Sequence, residues 1–489
     1  MRIGKRKGEN RAASPGYLTV YAALTLTVMI SLCLVLIEGV RRNTIAFETE
    51  CVMDIGMDSV LAEYHRELLR RYGLLMVDSS YGTAYPSYYN TQQHLETYLN
   101  RNLSYEDCMQ LSFLYRDLLG MELEEVLVQK VSLATDDNGR VFQHRAAECM
   151  RSRLGLEAVS DALDWLETAE GYGFLEQDVE KQLDQAGSRL QQYDGMEKQI
   201  GEEEWIRIEI SDPTAAVEQM RREGILKWVV EDVSQLSAAA IDPSQYISAR
   251  AAADEINHGN YPETEPLELT DNLFLLEYFL TYAGHYGAVR EDSLLQYQIE
   301  YLLCGQAGDR DNLHQVASVL CGIREAANVA YLMGSSTKRA EVEALAAALS
   351  GVIAMPELQP VFETALILTW AYLESLYDVK ALLAGGRIPL LKTDQDWHYS
   401  LANIWDPRVE SQEGEGEGLS YQDYLRLLLY LQPTDTLSLR FMDLIEMDIR
   451  STPGNRCFRM DGCIDGLEAE AVIRSGYGYR FTITRQRNY

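Results

Sequence analysis

Tyr17–Ile37, YLTVYAALTLTVMISLCLVLI, is the stretch that decides the architecture of this chain. It is 21 residues long and contains no charged residue, Pro, Gly or Asn. At about 1.5 Å per residue, a helix of this length spans roughly 30 Å, the hydrocarbon thickness of a bilayer. A cleaved secretory signal would have a shorter apolar region ending in a small-residue site, whereas this run ends at the charged stretch 38–42 (EGVRR). The sequence therefore predicts a retained transmembrane helix over residues 17–37.

The charges around this segment predict its orientation. The first 16 residues hold five basic side chains and one acidic side chain: Arg2, Lys5, Arg6, Lys7 and Arg11 against Glu9. Because cytoplasmic flanks carry the excess of Lys and Arg, we expect a cytoplasmic N-terminus and an extracytoplasmic C-terminal body. The whole chain carries a formal charge of −32, and a body this acidic would be repelled by the phosphate backbone, so nucleic acid is excluded as a partner.

Beyond the anchor, apolar residues recur mostly at helical spacing. The helical signal continues from the membrane run to about Leu69, which predicts a stalk. Further helices are predicted over Tyr105–Lys130, across the region Ala146–Gly201 and through most of residues 269–451.

Strand patterns are short and few. Apolar and polar residues alternate at 206–210 (IRIEI) and again at 479–484 (YRFTIT), and Leu467–Ile473 is the expected partner of the second strand. The predicted fold class is mainly α, with an N-terminal transmembrane helix, a helical extracytoplasmic body, short strands and a C-terminal β-hairpin.

Composition places one domain boundary at residues 257–268 (NHGNYPETEPLE), which are polar and contain two prolines. The predicted organisation is a basic cytoplasmic leader at 1–16, the transmembrane helix at 17–37, a helical stalk and first extracytoplasmic subdomain at 38–256, the linker at 257–268, a second helical subdomain at 269–451 and a C-terminal β-hairpin element at 452–489.

Motifs that carry chemistry are absent from the sequence. It contains no phosphate loop, no GxGxxG after a strand, no HExxH and no GxSxG, and its seven histidines are scattered. The stretch 461–466 (DGCIDG) resembles a calcium loop but lacks its third acidic ligand and closing Glu, so a plain turn is expected. No catalytic, cofactor-binding or metal-ligating residue is predicted, and no cofactor.

Paired carboxylates are the nearest approach to a catalytic pattern. Glu374 and Asp378 lie one turn apart and share a helix face, as the acid pair of a glycoside hydrolase would. Structural pairing is the other interpretation, in which Arg324 and Asn328 neutralise one carboxylate in a buried network. Three further glutamates are expected on neighbouring helices: Glu277, Glu300 and Glu325.

The sequence contains eight cysteines, and their number does not decide whether they form disulfides or stay reduced. Cys33 lies inside the membrane run, and the other seven are an odd number, so at least one stays free or pairs between chains. Two pairs are close enough in sequence to bridge: Cys304 with Cys321, and Cys457 with Cys463. A domain of this size does not need such bonds to hold its core, and no disulfide framework is predicted.

Several stretches taken together resemble a known family. In chain order they are PGYLTVYAALTLTVMISL at the start, EYHRELLRRYGLL at 63–75, QYQIEYLLCG at 296–305, GIREAANVAYL at 322–332, WAYLESLYDVKALLAGGRIPLLK at 370–392, LSYQDYLRLLL at 419–429 and CFRMDGCIDG at 457–466. The chain is similar to single-span membrane proteins of Gram-positive anaerobes that are described only as a domain of unknown function. The resemblance implies an association with tight-adherence (Tad, or Flp) pilus systems and assigns no catalytic residue.

The N-terminus is also similar to that of TadE-type pseudopilins, which have a short basic leader, a small residue and then a long apolar helix continuing outward. Prepilins commonly carry Glu at the fifth mature position, which would be Tyr21 here. We therefore expect the leader to be retained rather than cleaved after Gly16.

These observations predict a non-enzymatic, membrane-anchored extracytoplasmic component or accessory of a Tad-like pilus or secretion assembly. Its partners would be the bilayer, through residues 17–37, and other proteins of the assembly. Ala23, Thr27 and Ser31 are spaced by four residues and would form a small, weakly polar ridge for helix association in the membrane. The alternatives are an exported envelope-polymer hydrolase that uses the Glu374/Asp378 face, and a surface binding or sensing module.

Overall fold

The computed structural model describes residues 16–104, 119–154, 179–199, 205–250, 264–405 and 418–489. This part of the chain is mainly helical with short strands, which confirms the predicted fold class. The leader at 1–15, most of the linker at 257–268 and the middle of the predicted helical region Ala146–Gly201 lie outside the described residues.

The described residues form fourteen α-helices. They are α1 (Gly16–Leu61), α2 (Arg66–Tyr72), α3 (Tyr88–Leu103), α4 (Asp136–Arg151), α5 (Val179–Tyr193), α6 (Thr214–Glu223), α7 (Leu226–Val229), α8 (Leu269–Tyr282), α9 (Gln298–Cys304), α10 (Asp309–Gly334), α11 (Ser336–Val352), α12 (Gln359–Leu383), α13 (Tyr421–Tyr430) and α14 (Thr434–Arg450). The helical signal that was expected to reach Leu69 is divided, because His65 accepts a hydrogen bond from the Leu68 backbone N–H and caps α2 as a separate helix.

Six strands form two antiparallel sheets. The strands are β1 (Val77–Asp78), β2 (Met121–Leu133), β3 (Glu197–Gln199), β4 (Trp205–Arg207), β5 (Cys463–Ser475) and β6 (Arg480–Asn488). Strand β5 pairs with β1, β2 and β6, while β3 and β4 pair with each other. The predicted C-terminal hairpin is confirmed by β5 and β6, in which Leu467 lies opposite Arg487 and Ile473 opposite Phe481.

The helix predicted over Tyr105–Lys130 is wrong in its described part. Residues Met121–Leu133 form β2, which pairs with β5 along its whole length, and residues 105–118 lie outside the described part. Three register irregularities interrupt this pairing, so the inward side chains do not follow the strict alternation that marks a strand in sequence. The partner strand is also distant in the chain: Lys130 bonds Glu468, 338 residues away.

Two hydrophobic cores hold these elements. The stalk core joins the distal half of α1 to α3 and to the four-stranded sheet, through side chains such as Met53, Leu99 and Ile473. The main core contains side chains of α2 and of α4 through α14. It includes residues from both sides of the linker at 257–268, for example Phe142 and Phe441, whose rings stack at 5.9 Å. The division into two subdomains at that linker stays a prediction.

Candidate functional site

Helix α1 is the feature that the sequence singles out, and it has two halves with different surroundings. The apolar run from Tyr17 to Ile37 is exposed on every side, and none of its most apolar window, of mean hydropathy 2.5, is buried. Exposed apolar side chains around the whole circumference suit lipid rather than water. The protein therefore has an N-terminal helix that is long and apolar enough to span a membrane.

Helix α10 also has the length and composition of a membrane span, with a mean hydropathy of 1.2 in its most apolar window. Here 56% of that window is buried inside the folded body. Its apolar residues, such as Leu313 and Leu320, contact the main core. Such burial is typical of the central helix of a globular domain, so its buried surroundings distinguish α10 from the exposed apolar half of α1.

The distal half of α1 belongs to the folded body. Ile45, Val52, Met53, Met57 and Val60 are spaced by seven, one, four and three residues, which places them on one face of the helix, and they are buried in the stalk core. Helix α3 approaches this face closely, because a Cβ on Gly56 would lie 2.7 Å from Leu99 Cδ2. The exposed apolar run Tyr17–Ile37 and the body therefore share one uninterrupted helix.

A second set of contacts attaches β6 to the same helix. Arg485 lies within ion-pair distance of Glu50 and Asp54 (3.4 and 3.3 Å), and Arg487 of Asp54 and Asp58 (3.0 and 3.4 Å). These acids are spaced by four residues, so their side chains form one column along α1. We call these five residues the β6 clamp.

Aromatic residues extend the attachment toward the apolar run Tyr17–Ile37. The hydroxyl of Tyr479 donates a hydrogen bond to Glu38, and the guanidinium of Arg41 lies 4.0 Å from the centre of the Tyr477 ring. At the other end of the stalk, the Tyr489 hydroxyl donates to the Leu61 carbonyl. The hairpin therefore holds α1 from the first residue beyond the membrane run to its last turn.

The predicted ridge of Ala23, Thr27 and Ser31 lies on the exposed half of α1. Its hydroxyls are already used within the helix: Thr27 donates to the Ala23 and Leu24 carbonyls at 3.0 and 2.8 Å, and Ser31 donates to Val28 at 2.9 Å. The ridge therefore presents small side chains and methyl groups to a neighbouring helix, because its hydroxyls already donate within α1. Its association with another helix stays a prediction.

The carboxylate pair Glu374/Asp378 is part of a buried network between α10, α12 and the segment that follows α12. Lys392 Nζ contacts Glu374 and lies 2.6 Å from Asp378 Oδ1, and Arg324 Nε donates to Asp378 Oδ2 at 3.0 Å. Asn328 donates to the same oxygen at 3.2 Å. The buried pairing of Arg324 and Asn328 with Asp378 is therefore confirmed.

Glu374 is sealed from solvent by its partners. Burial acts to raise its pKa, but hydrogen bonds from His398 and the adjacent Lys392 outweigh burial and lower the pKa to about 2. The backbone N–H groups of His398 and Tyr399 also donate to this carboxylate. Both Glu374 and Asp378 have no exposed side-chain surface. These contacts hold the segment that follows α12, which contains Lys392 and Tyr399, against α12.

The remaining candidate residues are dispersed. Glu277 pairs with Arg426 at 2.6 Å, and Glu325 lies 3.7 Å from Arg221. Glu300 is fully buried, accepts hydrogen bonds from the Tyr421 hydroxyl and the Tyr286 N–H, and has a pKa raised to about 7, chiefly by burial. The structure does not bring these three glutamates to one site with Glu374.

The loop that resembled a calcium site is held by arginines. Asp461 pairs with Arg250 at 2.8 Å and with Arg459 at 2.5 Å, while Asp465 pairs with Arg145 at 2.6 Å. These contacts occupy the carboxylates in the manner of a structural turn. The seven described cysteines, Cys33, Cys51, Cys149, Cys304, Cys321, Cys457 and Cys463, are free thiols.

Sequence reasoning missed two parts of these sites. Lys392 was overlooked because it lies in an irregular segment without periodicity, and the only signal was a lone Lys in an apolar stretch (IPLLK). The β6 clamp was overlooked because its halves are more than 400 residues apart. The signal was present as a basic C-terminal strand and a column of acids at four-residue spacing in the stalk.

Comparison with known families places most of the body in one of them. Residues 203–475 match a family of unknown function, DUF5702. No curated protein and no solved structure matches the chain. Since the family match covers more than half of the chain, the protein belongs to the DUF5702 family.

Proposed function

We propose that the protein is a membrane-anchored, extracytoplasmic structural or accessory component of a Tad-like pilus or secretion assembly, without enzymatic activity. The observation that carries this proposal is the continuity of α1, whose first half is exposed and apolar and whose second half is buried in the stalk core. A helix built in this way fixes the body at a set height and orientation above the bilayer. That property suits a part of an assembly better than a tethered enzyme.

The pilus assignment draws on resemblance. The stretches quoted above are similar to proteins associated with tight-adherence systems, and the N-terminus is similar to that of TadE-type pseudopilins. The long helix that continues outward from the membrane agrees with this similarity. Retention of the leader is part of the proposal, and mass spectrometry that found a dominant N-terminus at Tyr17 would overturn that part.

The hydrolase alternative gains no support from its proposed catalytic pair. A carboxylate that protonates or attacks a glycosidic bond must reach its substrate. Glu374 and Asp378 are fully buried and are held by Lys392 and Arg324. Their geometry supports a structural role.

Topology is the first test of the proposal. With the basic leader inside, external protease on intact protoplasts should remove a tag placed after Tyr489 and spare a tag placed before Met1. The opposite pattern would refute the proposed localisation and, with it, a role in an extracytoplasmic assembly.

The second test concerns assembly through the membrane helix. Replacing Ala23, Thr27 and Ser31 with Leu keeps the segment apolar but fills the ridge, so we expect normal insertion and weaker crosslinks to pilus components in cells. Thr25→Leu is the single-site control, because it adds bulk to another face of the same helix. Unchanged crosslinking by the triple variant would reduce the membrane helix to a simple anchor.

A further inference from the structure

Helix α1 carries a second apolar surface, on the face opposite the stalk core. Val40, Phe47 and Ile55 are 66%, 66% and 52% exposed although they lie beyond the membrane run. Thr44 and Cys51 fall between them, and the Thr44 hydroxyl donates to the Val40 carbonyl, which leaves its methyl group outward. Steps of three or four residues place all five on one side of the helix. We call these residues the stalk stripe.

The stripe continues into the membrane segment without a break. Continuing the same steps toward the N-terminus gives Ile37, Cys33 and Met29, and these side chains are exposed as well. The residues Ile45, Val52 and Met53 point the other way into the stalk core. In the described residues, the stalk core covers that opposite face, and Arg485 and Arg487 contact the acids beside the stripe.

We propose that the stalk stripe is a parallel helix–helix interface with a second copy of this chain. An occupant of the whole surface needs a membrane span that continues outward as a helix with an apolar stripe of equal length. A second copy has both features, and the shared anchor holds it in the same direction and at the same height. Phe47, Cys51 and Ile55 would then meet their own counterparts, as the core positions of a parallel coiled coil do.

Charge and confinement favour this occupant over a soluble one. The acids beside the stripe, Glu50, Asp54 and Asp58, already have cationic partners in Arg485 and Arg487. The β6 clamp therefore reduces the repulsion that two acidic stalks would otherwise meet at close approach. Anchoring in one membrane also raises the effective concentration of each copy for the other. The proposal needs the membrane anchor but no part of the pilus assignment.

Native cysteines provide the test. Copper-phenanthroline oxidation of isolated membranes holding the full-length protein should give a disulfide-linked dimer, with Cys51 joined to Cys51 in the cross-linked peptides. Cys51→Ser should remove this product, and Phe47→Asp with Cys51 retained should reduce it at least tenfold. The matched control is Cys51→Ser combined with Asn43→Cys, which moves the thiol about 80° around the helix to an exposed position outside the β6 clamp and should cross-link poorly.

Each alternative outcome overturns the proposal. Equal yields from positions 43 and 51 would mean random collision, and a dimer linked only through Cys33 would confine pairing to the membrane. A Cys51 product that contains a different protein would assign the stripe to another partner. Isolated membranes expose both faces to the oxidant, so failure of the predicted topology would not mimic failure of this interface.

Discussion

Replacing Lys392 with Met tests whether the buried network holds the chain after α12 in place. The substitution keeps most of the side-chain volume but removes the ammonium group that Glu374 and Asp378 share. Two carboxylates would then remain in the core with Arg324 as their cation. Removing one partner of a buried ion pair typically costs about 3–5 kcal/mol, because an uncompensated charge stays buried. That loss lowers the ratio of folded to unfolded protein by roughly two to four powers of ten.

The assay is urea unfolding of the full-length protein in detergent, followed by tryptophan fluorescence, since Trp370 and Trp397 lie beside the network. Lys392→Met/Glu374→Gln is the matched control. It restores one cation to one carboxylate, and we expect it to recover about half of the loss or more. A cost below about 1 kcal/mol for Lys392→Met, or no recovery in the double variant, would refute the argument.

The pH dependence of the same variant has a defined sign. In the native protein the pKa of Glu374 is lowered to about 2, so the stability it contributes is present above pH 4.5 and is lost as pH falls toward 2. Without Lys392, burial would act to raise the pKa of Glu374. The variant should therefore lose stability as pH rises, which is the reverse of the native trend in acid.

The remaining predictions concern three other positions. The folded pKa of Glu300 is raised to about 7, so the native protein should lose stability as pH rises from about 4.5 to 7, and Glu300→Gln should remove this loss. Unfolding midpoints at pH 5 and pH 8 measure the difference. The same change in midpoint with pH for both proteins would contradict the prediction. Reversing the charges of the β6 clamp with Arg485→Glu and Arg487→Glu should increase hydrogen-exchange rates in β6 and the stalk but not in α12. Unchanged exchange rates in β6 and the stalk would mean that the clamp contributes little. Gly56→Ala should destabilise the stalk core by about 1–3 kcal/mol in urea, because the new Cβ would overlap Leu99, while Gly39→Ala has open space and should cost nothing.

The sequence predicted features that are local in the chain. The membrane run follows from 21 uncharged residues, and the hairpin of β5 and β6 follows from alternation and a short turn. The buried pairing of Asp378 with Arg324 was accessible too, because helical spacing places the guanidinium near the apolar face of α10. These predictions need only periodicity and length.

Features that depend on distant residues were not predictable in the same way. Strand β2 is specified by its pairing with β5, and its irregular register hides the two-residue period. Lys392 contacts Asp378 from an irregular segment, and Arg487 pairs with Asp54 although most of the chain separates them. One-dimensional patterns reveal charge and polarity at such positions but not which group will neutralise them.

The attachment of β6 to α1 also sets an order of events during synthesis. Glu38 and Tyr479 are 441 residues apart, so the membrane helix leaves the ribosome long before the strand that holds its outer half. Until β5 and β6 have been synthesised, Met53, Met57 and Val60 have no four-stranded sheet to cover them. The inner face of the stalk therefore stays partly uncovered until the whole body has been made, and a chain halted before β5 would display that apolar face as a mark of incomplete synthesis.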